Sequence, residues 1–159
     1  MSIVYIGIGS NLGDRRANIN RGIDLLNQLK DIKVEKVSSL FETDPQGGPP
    51  QGMFLNGVLQ MTTSILPLEL LAKLKWIEKR LGRKKTEVSG PRPLDLDLLF
   101  YDDVVVKGKE LEIPHPRLHQ RIFVLKPLAE IAPETVHPVL NKSIARLFEE
   151  FRVSSYENN

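Results

Sequence analysis

Gly90-Pro91-Arg92-Pro93-Leu94-Asp95-Leu96-Asp97-Leu98-Leu99-Phe100 decides how this 159-residue chain is read. Its opening is a stiff, turn-prone segment with an arginine between two prolines. From Leu94 to Tyr101 the run is strand-like, and it is apolar except at Asp95 and Asp97. Side chains alternate faces along a strand, so residues two apart point the same way, roughly 7 Å from one another. Two carboxylates on one face of a buried strand repel and cost desolvation energy unless partnered. Hard divalent cations prefer oxygen ligands, and magnesium typically takes one or two carboxylates plus phosphate oxygens. A lone Asp-x-Asp is more often a surface pair on an edge strand. The flanking leucines argue for a buried strand, and therefore for a metal.

Upstream, Pro67 suits the first turn of a helix whose period is held by Leu70, Leu74, Ile77 and Leu81. Glu78 falls on that apolar side and needs a partner; bracing a nearby loop is the commoner role. Lys79-Arg80-Leu81-Gly82-Arg83-Lys84-Lys85 then places five cations in seven residues. A basic helix end is usually a solvated face that favours the dipole. Here it leads through a polar loop, 82–91, to Arg92 and the aspartates. Cations on a loop beside a carboxylate pair suggest a polyphosphate ligand.

Further upstream, Ile3 to Ile8 reads as a short buried strand and Gly9 to Gly13 as a loop. That loop lacks the Gly-Lys-Ser/Thr ending of a P-loop. Gly7 and Gly9 do not extend to a dinucleotide fingerprint, because position 12 is Leu. Asp14 can cap a helix running to about Leu29, with Ile19, Ile23 and Leu26 on one face. Ile32 to Phe41 is the second strand. Residues 43–53 form a long Gly/Pro loop, a kind that is often functional. Phe54 to Thr63 is the third strand.

Downstream of Tyr101, Asp102-Asp103 and Lys107-Gly108-Lys109 read as turns, with Leu111 to Ile113 pairing back. Pro114-His115-Pro116-Arg117 follows. A lone histidine is more often structural, yet one held between prolines near Arg117 and Arg121 can donate to phosphate. Phe123 to Ile131 and Ile144 to Phe151 read as helices, with a frayed tail from Ser154.

The order strand–helix–strand–strand–helix–strand predicts an α+β fold with a ferredoxin-like split βαβ core. The sheet is expected to be antiparallel, with helices mainly on one face and an extra C-terminal hairpin and helices. Composition agrees with one globular domain over 1–159: 41% apolar, 26% charged, net charge +2. That charge is too small to argue for general nucleic-acid binding. With no cysteine, disulfide and thiolate chemistry are excluded. Neither an eighteen-residue apolar run nor a signal-peptide pattern is present, so a cytoplasmic protein is expected.

Gly90 to Asp97 strongly resembles the signature of the 6-hydroxymethyl-7,8-dihydropterin pyrophosphokinases of folate biosynthesis. Tyr5 to Gly13, Ser38-Ser39 through Thr43, Phe54-Leu55-Asn56, Glu78 through Arg83, Ile113-Pro114-His115 and Arg121-Ile122-Phe123 are similar to family segments in the same order. The resemblance covers nearly the whole chain. It implies transfer of the diphosphate of ATP to the pterin hydroxymethyl group, with release of AMP and use of two magnesium ions. Carried over residue by residue, Asp95 and Asp97 would hold both metals. Arg83, Arg92 and Arg121 would act with them in catalysis. Lys85, Leu98 and His115, with those arginines, would contact ATP, and Glu78 would help fix that site. Thr43, Phe54, Asn56 and Phe123 would form the pterin pocket with Asp95. ATP and a dihydropterin are the implied partners, with other folate-pathway enzymes admissible. Lys85, Ser89 and Pro116 stand where some relatives carry arginine, tryptophan and tyrosine.

Two rival classes use the same features. A ferredoxin-like RNA-binding module would stack bases on sheet aromatics, but these strands hold few. A metal-dependent nuclease would use the same aspartates. Only a pyrophosphokinase releases AMP in a pterin-dependent way.

Overall fold

A computed structural model describes residues 1–45, 47–82 and 90–157 of the chain. Its first half runs β1 (Ser2–Ser10), α1 (Arg15–Gln28), β2 (Ile32–Val37), β3 (Phe41–Thr43), β4 (Phe54–Thr63), α2 (Pro67–Arg80) and β5 (Asp95–Tyr101). The strands form one antiparallel sheet in the order β2-β4-β1-β5, with β3 also paired to β4. β4 lies between β1 and β2 and runs against both, which is the expected split βαβ arrangement. Local chemistry sets the helix starts. The Asp14 carboxylate accepts the Ala17 N–H at 3.1 Å, and Pro67 occupies the first turn of α2.

The expected strand 32–41 is two strands. Ser38 Oγ accepts the Val58 N–H at 2.9 Å and donates to the Ser39 carbonyl at 2.9 Å. That side chain interrupts regular pairing, and the chain resumes as β3 three residues later, at Phe41. Gly57 faces the break, where a Cβ would run into Leu40 and the Ser38 hydroxyl. A side chain at 57 would therefore push the two segments apart.

Helices cover both faces of the sheet, not mainly one. On the first face, Ile19 and Leu26 of α1 and Leu70, Leu74 and Ile77 of α2 pack on Val4, Ile6, Ile8, Leu96 and Leu98. On the second, α3 (Ile122–Ile131) and α4 (Ile144–Glu157) bring Val124, Leu125, Leu128 and Leu147 against Tyr5, Val58, Leu99 and Phe100. The reason lies in β1 and β5, which are apolar on both faces and therefore need cover on both. A shift of register between Tyr5 and Ile6 in the β1–β5 pairing lets Leu99 and Phe100 both face the second layer. Leu74 and Leu94 are fully buried, and each such side chain contributes about 1.5–3 kcal/mol. α4 continues to Glu157, past the expected fraying point at Ser154.

The hairpin is β6 (Val106–Lys107) with β7 (Glu112–Ile113). The chain then returns along the free edge of β5, where the His115 N–H donates to the Leu99 carbonyl at 3.1 Å. A single 3-10 turn, Leu118–Gln120, leads into α3.

Candidate active site

The second helical layer covers only one end of its sheet face. At the other end the central strand carries no side chains: Gly7 and Gly9 point to this face, between β4 and β5. Gly9 pairs with Asn56 on one side and Asp95 on the other, and Gly7 pairs with Val58 and Asp97. A Cβ on Gly9 would collide with Asn56 Oδ1. The two glycines thus leave a floor with no side chains of its own, across which the Asn56 amide lies at Gly9.

The cavity above that floor measures about 240 Å³. Phe54, Asn56 and Thr43 line it from the β4 side, joined by Asp44, while Asp95 and Asp97 line it from β5. Arg121 and Phe123 enter from the start of α3, and Arg92 and His115 complete the wall. Thr43 and Phe54 are register partners, and the Asn56 Nδ2 donates to Thr43 Oγ1 at 2.5 Å. The amide is thereby oriented with its oxygen over the Gly9 floor.

Arg92 is held from several directions. Its guanidinium donates to Asp95 Oδ1 at 3.2 Å and to the Gly90 carbonyl at 3.2 Å. It lies 5.7 Å from the centre of the Phe54 ring. Its backbone N–H donates to Asn11 Oδ1 at 2.9 Å, and its carbonyl accepts the Asn11 N–H at 3.1 Å. Asn11 Nδ2 in turn donates to Gln51 Oε1 at 2.7 Å and to the Gly52 carbonyl at 3.1 Å. One buried side chain therefore ties the 44–53 loop to the segment that leads into β5. On the opposite wall, Arg121 lies 5.5 Å from the Phe123 ring centre.

These charges act on one another. Burial, then the charges of Asp95 and Glu78, push the Asp97 carboxyl up to about 7, against the pull of Arg121 and Arg92. Burial and then the Arg121 charge bring His115 down to about 4, so it is neutral at pH 7. The Arg117 N–H approaches His115 Nδ1 at 3.4 Å, which favours the tautomer with its proton on Nε2. That ring can donate one hydrogen bond into the cavity without adding a charge.

The structure does not bring every expected residue to the cavity. Glu78 lies behind β5 and is 7% exposed; its Oε2 accepts the Leu96 N–H at 2.8 Å. The Leu98 side chain is buried in the core beneath α1 and α2. Neither side chain lines the cavity, because β5 alternation sends Leu96 and Leu98 to the face opposite the aspartates. Arg83, Lys85 and Ser89 lie outside the described residues. Among the described residues, no group of three or more His, Asp or Glu side chains is arranged to hold a metal by itself. The Asp95–Asp97 pair is the set of oxygen donors in the cavity wall that suits a cation completing its shell with phosphate and water.

Sequence reasoning missed Asn11, Asp44 and the glycine floor. Gly7 and Gly9 stand two apart on a strand, which places them on one face. That spacing is the signal the sequence carries for the floor. Asn11 carried no local signal, because its partners are 40 and 81 residues away.

Comparison with known proteins adds to this geometry. A sequence model described as 7,8-dihydro-6-hydroxymethylpterin-pyrophosphokinase (HPPK) matches residues 5–133. A relative from Aquifex aeolicus, named 2-amino-4-hydroxy-6-hydroxymethyldihydropteridine pyrophosphokinase, is 44% identical over 144 residues, covering 91% of this chain and 89% of its own. The folic acid synthesis protein fol1 of Pneumocystis carinii is 47% identical over 146 residues, covering 92% of this chain but 20% of the relative. In three dimensions the chain is similar to a Plasmodium falciparum HPPK-DHPS crystal structure, with a TM-score of 0.75 at 16% identity. That alignment covers 99% of this chain and 46% of the other, and it speaks to the fold alone.

Proposed function

The chain belongs to the 7,8-dihydro-6-hydroxymethylpterin-pyrophosphokinase family, and from that premise we propose how its cavity carries out the reaction. The enzyme transfers the diphosphate of ATP to the hydroxymethyl group of 6-hydroxymethyl-7,8-dihydropterin and releases AMP, a step of folate biosynthesis. One observation carries the assignment of roles: the aspartate pair, two arginines and an amide flanked by two phenylalanines line a single cavity.

The pterin is a flat heterocycle with a polar edge. Phe54 and Phe123 would grip its faces, and Asn56, oriented by Thr43, would offer both a donor and an acceptor to its edge. The cavity is small beside the roughly 300–1,000 Å³ of drug-sized sites, which suits a bicyclic ring. With the ring seated there, its hydroxymethyl arm would point toward β5 and the arginines.

The hydroxyl oxygen attacks the β-phosphorus and gives up its proton to solvent, and the bond between that phosphorus and the oxygen bridging to the α-phosphorus breaks, leaving AMP and the pterin diphosphate. Such transfers depend on alignment and charge neutralisation more than on covalent help from the protein. Arg92 and Arg121 would hold the non-bridging oxygens, and neutral His115 would donate one hydrogen bond. Asp95 and Asp97 fit magnesium, being two hard oxygen donors on one strand face with open space in front. Two bound ions would supply further charge neutralisation on the phosphate oxygens. Asp97, raised toward neutrality in the apo protein, is stabilised as a carboxylate by such cations.

Relatives such as fol1, and the HPPK-DHPS chains, are longer than this one, which supports other folate-pathway enzymes as partners. We also place the reaction in the cytoplasm; among the described residues, no helix is long and apolar enough to cross a membrane.

Release of AMP, followed with ATP and magnesium in the presence and absence of the pterin, tests the whole reading. AMP appearing only with pterin is the expected result. Pterin-independent AMP release, or cleavage of RNA or DNA at a comparable rate, would replace it with hydrolase or nuclease chemistry.

A further inference from the structure

Glu130 sits at the far end of α3 from Phe123, seven residues on, and nothing in the reaction requires it. Its carboxylate accepts the Ser39 N–H at 3.0 Å and the Ser39 hydroxyl at 2.8 Å. Between the two, Lys126 Nζ lies 4.5 Å from the centre of the Phe41 ring. Positions 123, 126 and 130 share one face of a helix, being three and seven residues apart. Positions 39, 41 and 43 advance in steps of two along the opposing segment, and Phe41 and Thr43 share a strand face. The helix runs against that strand, and the two stretches span similar lengths, about 10 Å and about 13 Å. The contacts therefore form a ladder. Glu130–Ser39 and Lys126–Phe41 are its two occupied rungs, and the gap between Phe123 and Thr43 is the third.

We propose that Glu130 is a positioning residue for the pterin: by fixing α3 in register along Ser39 and β3, it sets the distance between Phe123 and the Thr43–Asn56 wall. This rests on the assignment of the pterin to that gap. The dependence on a remote clamp has a physical basis. Arg121 and Phe123 stand at the start of α3, whose first turn carries no side-chain cap. Burial of apolar surface is non-directional, so the apolar contacts of α3 specify its register through side-chain fit alone. Hydrogen bonds to a backbone N–H are directional and fix one register. Ser39 has lost regular strand pairing at the β2–β3 break, so its N–H is available to be claimed by Glu130. Glu130 and Ser39 are exposed, so the clamp adds little to global stability and its removal leaves a folded protein to assay.

The test is calorimetric titration of 6-hydroxymethylpterin into protein saturated with a nonhydrolysable ATP analogue. Glu130→Ala is expected to weaken pterin binding about fivefold, the scale of one partly exposed charge-assisted contact. Affinity for the analogue should not move, and KM for the pterin should rise while kcat stays within about twofold. Glu130→Gln keeps an acceptor for the Ser39 N–H and a donor for its hydroxyl, and should restore pterin affinity. Glu130→Ala binding both ligands as the parent does would overturn the proposal, as would equal losses for both. Phe123→Ala separates this from the pocket assignment. If Phe123→Ala loses pterin and Glu130→Ala does not, the register proposal alone fails; if both retain it, the pterin lies elsewhere. Should Glu130→Ala not fold, Glu130→Asp decides: its shorter arm withdraws the carboxylate from the Ser39 N–H while keeping the charge, with a selective weakening of pterin binding expected and no change overturning the proposal.

Discussion

Glu78 accepts the backbone N–H of Leu96 at 2.8 Å, from the side of β5 opposite the cavity. Leu96 stands between Asp95 and Asp97, so three carboxylates surround one strand residue. The hydrogen bond satisfies the outer edge of β5 and anchors the strand to α2. Its cost is a third negative charge near Asp97, one of the causes that raise that carboxyl. Cations bound in front of the strand, as proposed for magnesium, would relieve the same repulsion.

Two opposed pH dependences follow in the apo protein. The Asp97 carboxyl is pushed up to about 7 in the folded protein from its ordinary 3.8. Between those limits the folded state binds more protons, so this group's contribution falls as pH rises. His115 titrates near 4 when folded against 6.5. Between those limits the unfolded state binds more protons, so its contribution rises with pH. The two oppose each other from about pH 4 to 6.5. Chemical denaturation of the apo enzyme should show Asp97→Asn gaining stability with pH across that range and His115→Gln losing it. Parallel profiles for the two variants would contradict the assigned directions.

Asp95→Ala and Asp97→Ala should each nearly abolish AMP release while circular dichroism stays unchanged. Each removes one of the two oxygen donors that share the β5 face of the cavity, and metal-derived charge stabilisation is worth several kcal/mol. Turnover near the parent value at ordinary magnesium would remove the residue from the metal site.

Arg92→Ala and Arg121→Ala should lower kcat more than they weaken binding of an ATP analogue. Both guanidiniums line the cavity with the aspartate pair, where, on the proposed roles, charge would build on the transferred group. Arg92→Ala also removes one ion-pair partner of Asp95, so magnesium affinity should not fall. Isothermal titration beside steady-state kinetics separates the effects; equal losses in affinity and kcat would make these arginines uniform binders.

Phe123→Ala and Asn56→Ala should each weaken pterin binding by about 1–3 kcal/mol, the scale of a lost aromatic contact or hydrogen-bond partner. ATP-analogue affinity should change little. Gly9→Ala carries a sharper expectation: its Cβ would displace Asn56 Oδ1, so pterin binding should suffer as much as in Asn56→Ala. Pterin titrations on the three folded variants give the comparison, and an unaffected Gly9→Ala would mean that the Asn56 amide does not read the pterin.

Asn11→Ala should uncouple the 44–53 loop from Arg92. The side chain makes hydrogen bonds to Gln51, Gly52 and Arg92, each contributing about 0.5–1.5 kcal/mol. Hydrogen exchange should accelerate at Arg92 and in the 44–53 loop together, with α1 and α2 unaffected. Acceleration in one segment alone would show that Asn11 does not link them.

Local chemistry was enough to place most of the secondary structure and one wall of the site. The alternation of Leu94 to Tyr101 put Asp95 and Asp97 on one face, Asp14 and Pro67 marked helix starts, and the strand Phe54–Thr63 was bounded by its own pattern. Such signals arise from neighbours within a turn or two, so a sequence carries them openly. The opposite wall depended on long-range register. Asn56 faces Asp95 only because both pair with Gly9, and Phe123 arrives from a helix on the second sheet face. The split of the strand 32–41, the outward reach of Glu78 to Leu96 and the hub at Asn11 were likewise tertiary decisions. Each turns on which backbone N–H lacks a partner once the sheet has formed. That is a property of the assembled fold, and no local period in the chain records it.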